Sequence, residues 1–68
     1  MENWYKLLST TESYKAEIIR GLLEENQIPV ILVNKQDSSY VFLGEIEVHV
    51  PVQFKTIALD LINGAITN

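Results

Sequence analysis

The sequence predicts an α+β fold of two layers, a three-stranded antiparallel sheet carrying two helices on one face, in the order β-α-β-β-α. Three observations carry this expectation. From Ala16 to Asn26 the chain has helical periodicity, with Ala16, Ile19, Leu22 and Leu23 on one side and Glu17, Arg20, Glu24 and Glu25 left for water. A few residues later Val30-Ile31-Leu32-Val33 is a continuous apolar run of strand length. From Glu45 to Val50 the pattern alternates: Ile46, Val48 and Val50 face one way and Glu45, Glu47 and His49 the other, as in a strand covered on one side only.

The elements follow in order. Trp4 to Leu8, rich in aromatic and large apolar residues, reads as the first strand, and the polar cluster Ser9 to Ser13 as its end and the approach to a helix. Ser13 is the expected N-cap of a helix from Tyr14 to about Asn26, with Asn26 suited to its exit. Gly21 inside that helix costs on the order of 1 kcal/mol relative to Ala; either the helix approaches the sheet closely there or the glycine is simply tolerated. Val30 to Val33 is the second strand, and Lys35 to Ser39 supplies turn chemistry through Asp and Ser side chains that bond nearby amides. Tyr40 to Leu43 and Glu45 to Val50 read as one long third strand with a β-bulge at Gly44. Pro51 ends it, a second helix from about Val52 or Gln53 carries Phe54, Ile57, Ala58, Leu61 and Ile62, and Gly64 is its expected C′ residue. Four residues remain, too few for a fourth strand. A short hairpin makes strands two and three antiparallel neighbours, and a right-handed crossover from strand one leaves room for strand three between the others, giving sheet order 1-3-2. This is the split arrangement of ferredoxin-like folds without the last strand.

Sixty-eight residues make one domain, residues 1–68, with a core one layer thick. With 47% hydrophobic and 21% charged residues the chain reads as globular. It has no cysteine, which excludes disulfides, thiolate metal sites and a cysteine nucleophile and fits a reducing cytoplasm. The amino terminus shows no secretion signal, and no apolar run approaches the roughly 20 residues a bilayer span requires, so a cytoplasmic location without membrane contact is expected. Net charge −4, with Lys6, Lys15, Arg20, Lys35 and Lys55 dispersed, argues against nucleic acid as a partner.

On this framework, Trp4 opening strand one, Tyr14 to Ile19 with Leu22-Leu23-Glu24 on the helix, Ile28 before strand two, Asn34 to Tyr40 at the turn and Gly44 to Val50 together resemble the domain-of-unknown-function 2007 family over nearly the whole chain. Its members are small bacterial domains labelled as prokaryotic signal-transducing proteins, through similarity to the PII-like fold of nitrogen regulators. The resemblance implies a ferredoxin-like or PII-like fold and brings no reaction, ligand or catalytic residue. PII proteins proper have a longer chain with a large target-binding loop and effector loops; the short turn at Gln36 to Ser39 cannot make such a loop, so nucleotide or 2-oxoglutarate sensing does not transfer.

Chemistry finds little support. Glu45 and Glu47 lie about 7 Å apart on one face, yet a carboxylate pair needs a cleft and a flat open sheet offers none. Asp37, Ser38, Ser39 and His49 lack the rigid elbow and oxyanion hole of a hydrolase. One histidine with scattered carboxylates gives no metal-ligand spacing, so neither metal nor cofactor is expected. If Lys6 pairs with Glu47 across strands, Trp4 falls beside His49, a contact that could stack on a planar ligand. The stronger signal is strand two, apolar on both faces although one face is covered: either Ile31 and Val33 or Val30 and Leu32 look outward, beside Trp4 and Leu8, as an apolar patch rimmed by Lys6, Glu45 and Glu47. Strand one is also an exposed edge. The expected function is a non-enzymatic interaction module, in the simplest case a homodimer, with Trp4, Lys6, Ile31, Val33, Tyr40, Glu47 and His49 as contact residues. The alternative is a small-molecule sensor with a PII-like ligand site at a subunit interface.

Overall fold

A computed structural model describes residues 3–35 and 44–66. Trp4–Thr10 forms β1, Ser13–Glu25 α1, Ile31–Lys35 β2, Glu45–Pro51 β3 and Lys55–Ile66 α2, the last entered through a 3-10 turn at Val52–Phe54. The sheet order is β1-β3-β2, with β3 antiparallel to both neighbours. Strand β3 is central because its inner face is wholly apolar: Val48 and Val50 have no exposed surface. Ala16 and Leu23 from α1 and Ala58 from α2 pack on that face with Ile28, so both helices lie on one side and the other stays open. The two-layer α+β arrangement and order 1-3-2 expected from the sequence are those found.

Strand β1 departs from expectation in length and register. It runs on through Ser9 and Thr10, and it carries one extra residue: Lys6 pairs with His49 and Leu8 with Val48, leaving Leu7 between them. A bulge of this kind puts two successive side chains on one face, and Leu7 and Leu8 both pack against the core. Two adjacent leucines both gain burial only if the alternation slips there, and that gain offsets the broken ladder. The bulge expected at Gly44 involves residues 40–43, which lie outside the described residues. Strand β2 also shifts relative to the expected Val30–Val33, starting at Ile31 and extending to Lys35.

Helix α1 begins one residue earlier than the Ser13 cap implies. The N-cap is Glu12, which makes no side-chain cap bond. Its carbonyl accepts from the amides of Lys15 and Ala16 at 3.1 and 3.3 Å, and its own amide donates to Thr10 Oγ1 at 3.1 Å. Thr10 thus turns the chain, leaving Ser13 as the first helical residue. At the other end Asn26 is the C-cap, as expected, and its side-chain amide donates to the Leu22 carbonyl at 2.8 Å. Gln27 then adopts φ 61°, the left-handed region. The Gln27 amide donates to the Glu24 carbonyl and the Ile28 amide to the Leu23 carbonyl, both at 3.0 Å, which is the Schellman closure. Leu23 and Ile28, which flank it, are both in the core.

Helix α2 passes straight through Gly64, which is therefore an interior residue and not the expected C′ position. Gly21 and Gly64 each have nothing within 4 Å of where a Cβ would stand, so Gly21 is tolerated and no close approach requires it. Pro51 is the last residue of β3, opposite Trp4, and the next amide, that of Val52, donates to the Asn3 carbonyl at 2.9 Å. The Lys55 ammonium sits 4.7 Å from the Tyr5 ring centre, tying the start of α2 to β1.

Candidate interaction surface

The register sets the open face out in cross-strand rows. Lys6, His49 and Ile31 form one row across β1, β3 and β2. Ser9, Glu47 and Val33 form the next, and Glu45 and Lys35 are paired beyond it. Side chains alternate along a strand, so Ile31 and Val33 share the open face with Glu47 and His49, while Leu32 and Val30 pack toward the core. This settles which residues of β2 look outward.

Two expectations about this face are corrected. Lys6 stands opposite His49 and not Glu47, and Trp4 stands opposite Pro51, so Trp4 and His49 are not cross-strand partners. The strands are offset by two positions from the expected register at Lys6, and the extra residue Leu7 adds one more from Leu8 onward. The same slip carries Leu8 to the core side. The apolar patch therefore does not run from Ile31 and Val33 to Trp4 and Leu8. Ile31 and Val33 line the β2 side, and the polar row of β3 separates them from Trp4 on β1.

That polar row is internally bonded. Glu47 lies 3.7 Å from Lys6 Nζ through Oε2 and 2.9 Å from His49 Nε2 through Oε1. The Glu47 and His49 side chains are each only 13% exposed, whereas Lys6 is 54% exposed, so the ion pair reaches solvent at its cationic end. The Ser9 hydroxyl donates to Glu45 Oε2 at 3.1 Å. A carboxylate only accepts, so the ring proton sits on Nε2. Nδ1 of His49 is buried without a hydrogen-bond partner among the described residues.

Tyr40 and the Asp37, Ser38 and Ser39 positions lie outside the described residues. On the far side of the molecule, Tyr14 and Ile18 stand four residues apart on the outer face of α1 at 59% and 65% exposure, although periodicity alone assigned that side to water. Ion pairs flank them: Lys15 with Glu12 at 3.1 Å, and Arg20 with Glu17 and, at 3.5 Å, with Glu24. The hydrogen bond and charge of Glu12 raise the Lys15 pKa, and those of Glu17 raise that of Arg20. Among the described residues no helix is long and apolar enough to cross a membrane, and no group of three or more His, Asp or Glu side chains stands together as a metal site.

A family model described as "Putative prokaryotic signal transducing protein" matches residues 4–62. No curated protein and no solved structure matches the chain.

Proposed function

The chain belongs to the domain-of-unknown-function 2007 family, and on that premise we propose that it is a non-enzymatic interaction module of bacterial signal transduction, working in the cytoplasm through its open sheet face and strand edge. The observation that carries this reading is the placement of Ile31 and Val33 on the uncovered face, with Ile31 39% exposed. Apolar β-branched side chains on an uncovered sheet face gain free energy when another chain covers them. The polar groups beside them favour association over chemistry, because Lys6 with Glu47, Glu47 with His49 Nε2, and Ser9 with Glu45 are already paired with one another. Partners are other protein chains, a second copy among them. The test is comparative capture from bacterial cytosol on immobilised wild type and on Lys6→Glu, each confirmed folded by circular dichroism. A protein retained by the wild type and lost with the variant supports the reading; identical captured sets overturn it.

A second reading, a small-molecule sensor with a PII-like ligand site at a subunit interface, draws on the buried His49 Nδ1, which has no hydrogen-bond partner among the described residues. Trp4 fluorescence titrated with a panel of metabolites tests it, and a flat response to all of them removes it.

A further inference from the structure

We propose that two copies of the chain pair along β2, antiparallel about Leu32, so that two three-stranded sheets become one of six strands. The inference rests on the reading of the chain as an association module and deepens it by naming the occupant of one edge. Among the described residues the sheet has two outer strands, β1 and β2, and an outer strand presents backbone donors and acceptors to any strand that can lie against it. The two edges are not equivalent. Leu7 interrupts the β1 ladder, and a bulge spoils an edge as a template. Strand β2 keeps an unbroken register from Ile31 to Lys35.

Charge selects the same edge. Two copies of a chain carrying −4 repel each other, yet Ile28 to Asn34 contains no ionisable side chain. Among the described residues the carboxylates paired beside β2, Glu45 and Glu47, stand one strand further in, about 5 Å away. Each outer strand carries one lysine, but Lys6 lies inside β1 whereas Lys35 is the last residue of β2, so pairing about Leu32 leaves Ile31 to Asn34 uncharged. Two like-charged molecules therefore meet at least cost along β2.

The side chains of β2 are complementary to themselves. Pairing about Leu32 sets Ile31 of one copy opposite Val33 of the other, twice, on the open face, and β-branched cross-strand pairs of this kind stabilise antiparallel strands. Leu32 meets Leu32 on the helix side and continues the core layer from one copy into the next. The contact is isologous and closes at two chains. It also accounts for the exposed Ile31, which a monomer leaves half in water at the rim of its sheet.

The experiment is sedimentation equilibrium and multi-angle light scattering on the full chain from about 10 μM to about 1 mM, with Ile31→Lys, Val33→Lys and Trp4→Lys alongside. The expected result is a wild-type dimer, dissociation raised at least about tenfold by either β2 variant, and no change for Trp4→Lys, which lies on the other outer strand. Amide hydrogen exchange of the wild type guards against a variant that fails to fold: protection should rise with concentration in Ile31–Lys35 and stay constant in β1. A wild type monomeric at about 1 mM, a Trp4→Lys variant weakened as much as Ile31→Lys, or concentration-dependent protection in β1 in place of β2 each overturns the pairing. If the chain stays monomeric yet still captures a partner lost with Lys6→Glu, the pairing fails and the module stands; a dimer that captures no other protein keeps the pairing and removes only partners other than a second copy.

Discussion

Glu47 and His49, two residues apart on the open side of β3, are joined from Oε1 to Nε2 at 2.9 Å. The bond fixes the imidazole tautomer, since a carboxylate cannot donate. Proton–nitrogen correlation spectra of the neutral ring should show the proton on Nε2. Glu47→Gln, whose amide both donates and accepts, should give a tautomer mixture and lose about 1 kcal/mol in denaturant unfolding. An unchanged tautomer in that variant would show that something other than Glu47 holds the ring.

Leu23 has no exposed surface and sits where α1 meets Val48, Val50 and Ala58. Truncation to Ala should cost about 2–5 kcal/mol, against the roughly 3–5 kcal/mol that a core of this size supplies. Leu23→Ala should therefore be largely unfolded at room temperature, read from the near-ultraviolet signal of Trp4, while Ile18→Ala on the outer face of α1 should melt within a few degrees of wild type.

Gln27 holds a positive φ that a side chain disfavours. Gln27→Gly keeps both backbone bonds of the helix closure and removes the clash of Cβ with its own peptide, so it should stabilise by about 0.5–1 kcal/mol. Gln27→Val should do the opposite. A drop in melting temperature for the glycine variant would mean that the Gln27 side chain contributes more than its backbone costs.

Gly21 and Gly64 lie inside helices with open space where a Cβ would go. Gly21→Ala and Gly64→Ala should each raise stability by up to about 1 kcal/mol, additively, because the sites lie on different helices. Denaturant midpoints of the two single variants and the double variant check both points.

Lys15 is exposed, and its pKa is raised first by the hydrogen bond to Glu12 and then by the Glu12 charge. A base raised in the folded state contributes stability that is complete below its unfolded pKa and fades as pH climbs through the folded one. Titration of the Lys15 Cε resonances should show a midpoint above that of an ordinary lysine, returning toward it in Glu12→Gln. Loss of native signal on alkaline titration should then begin at lower pH in the variant.

Much of the fold could be read from periodicity. Ile46, Val48 and Val50 alternate with charged residues, which placed β3 correctly and identified its wet side, and the helical spacing of Ala16, Ile19 and Leu23 gave α1 its buried face. The register of β1 could not be read the same way. Leu7-Leu8 is one apolar pair among several, and nothing local says that both turn inward; the decision belongs to the packing under Val48. That slip turned Leu8 to the core side and so removed it from the open face. Gln27 was invisible for a related reason. A glycine would have announced the left-handed turn, whereas here the turn is held by burial of Leu23 and Ile28 on either side of it. Gly64 misled in the opposite sense, since a glycine near a helix end signals a stop only when the chain actually turns there. The choice between the two faces of β2 had to wait for the pairing with His49 and Glu47.

The extra residue in β1 is the one position where that strand can lose a codon without changing its partners, at the cost of the packing Leu7 makes. Removing Leu7 joins Lys6, opposite His49, directly to Leu8, opposite Val48, so the segments on both sides keep their partners and the strand merely straightens. A codon lost within β3 would instead turn half of that strand over, sending Val48 or Val50 into water. Length variation among relatives of this chain should therefore be tolerated at the β1 kink and rejected in the neighbouring strand β3, and a relative one residue shorter at that point would keep the same surface with a smoother outer strand.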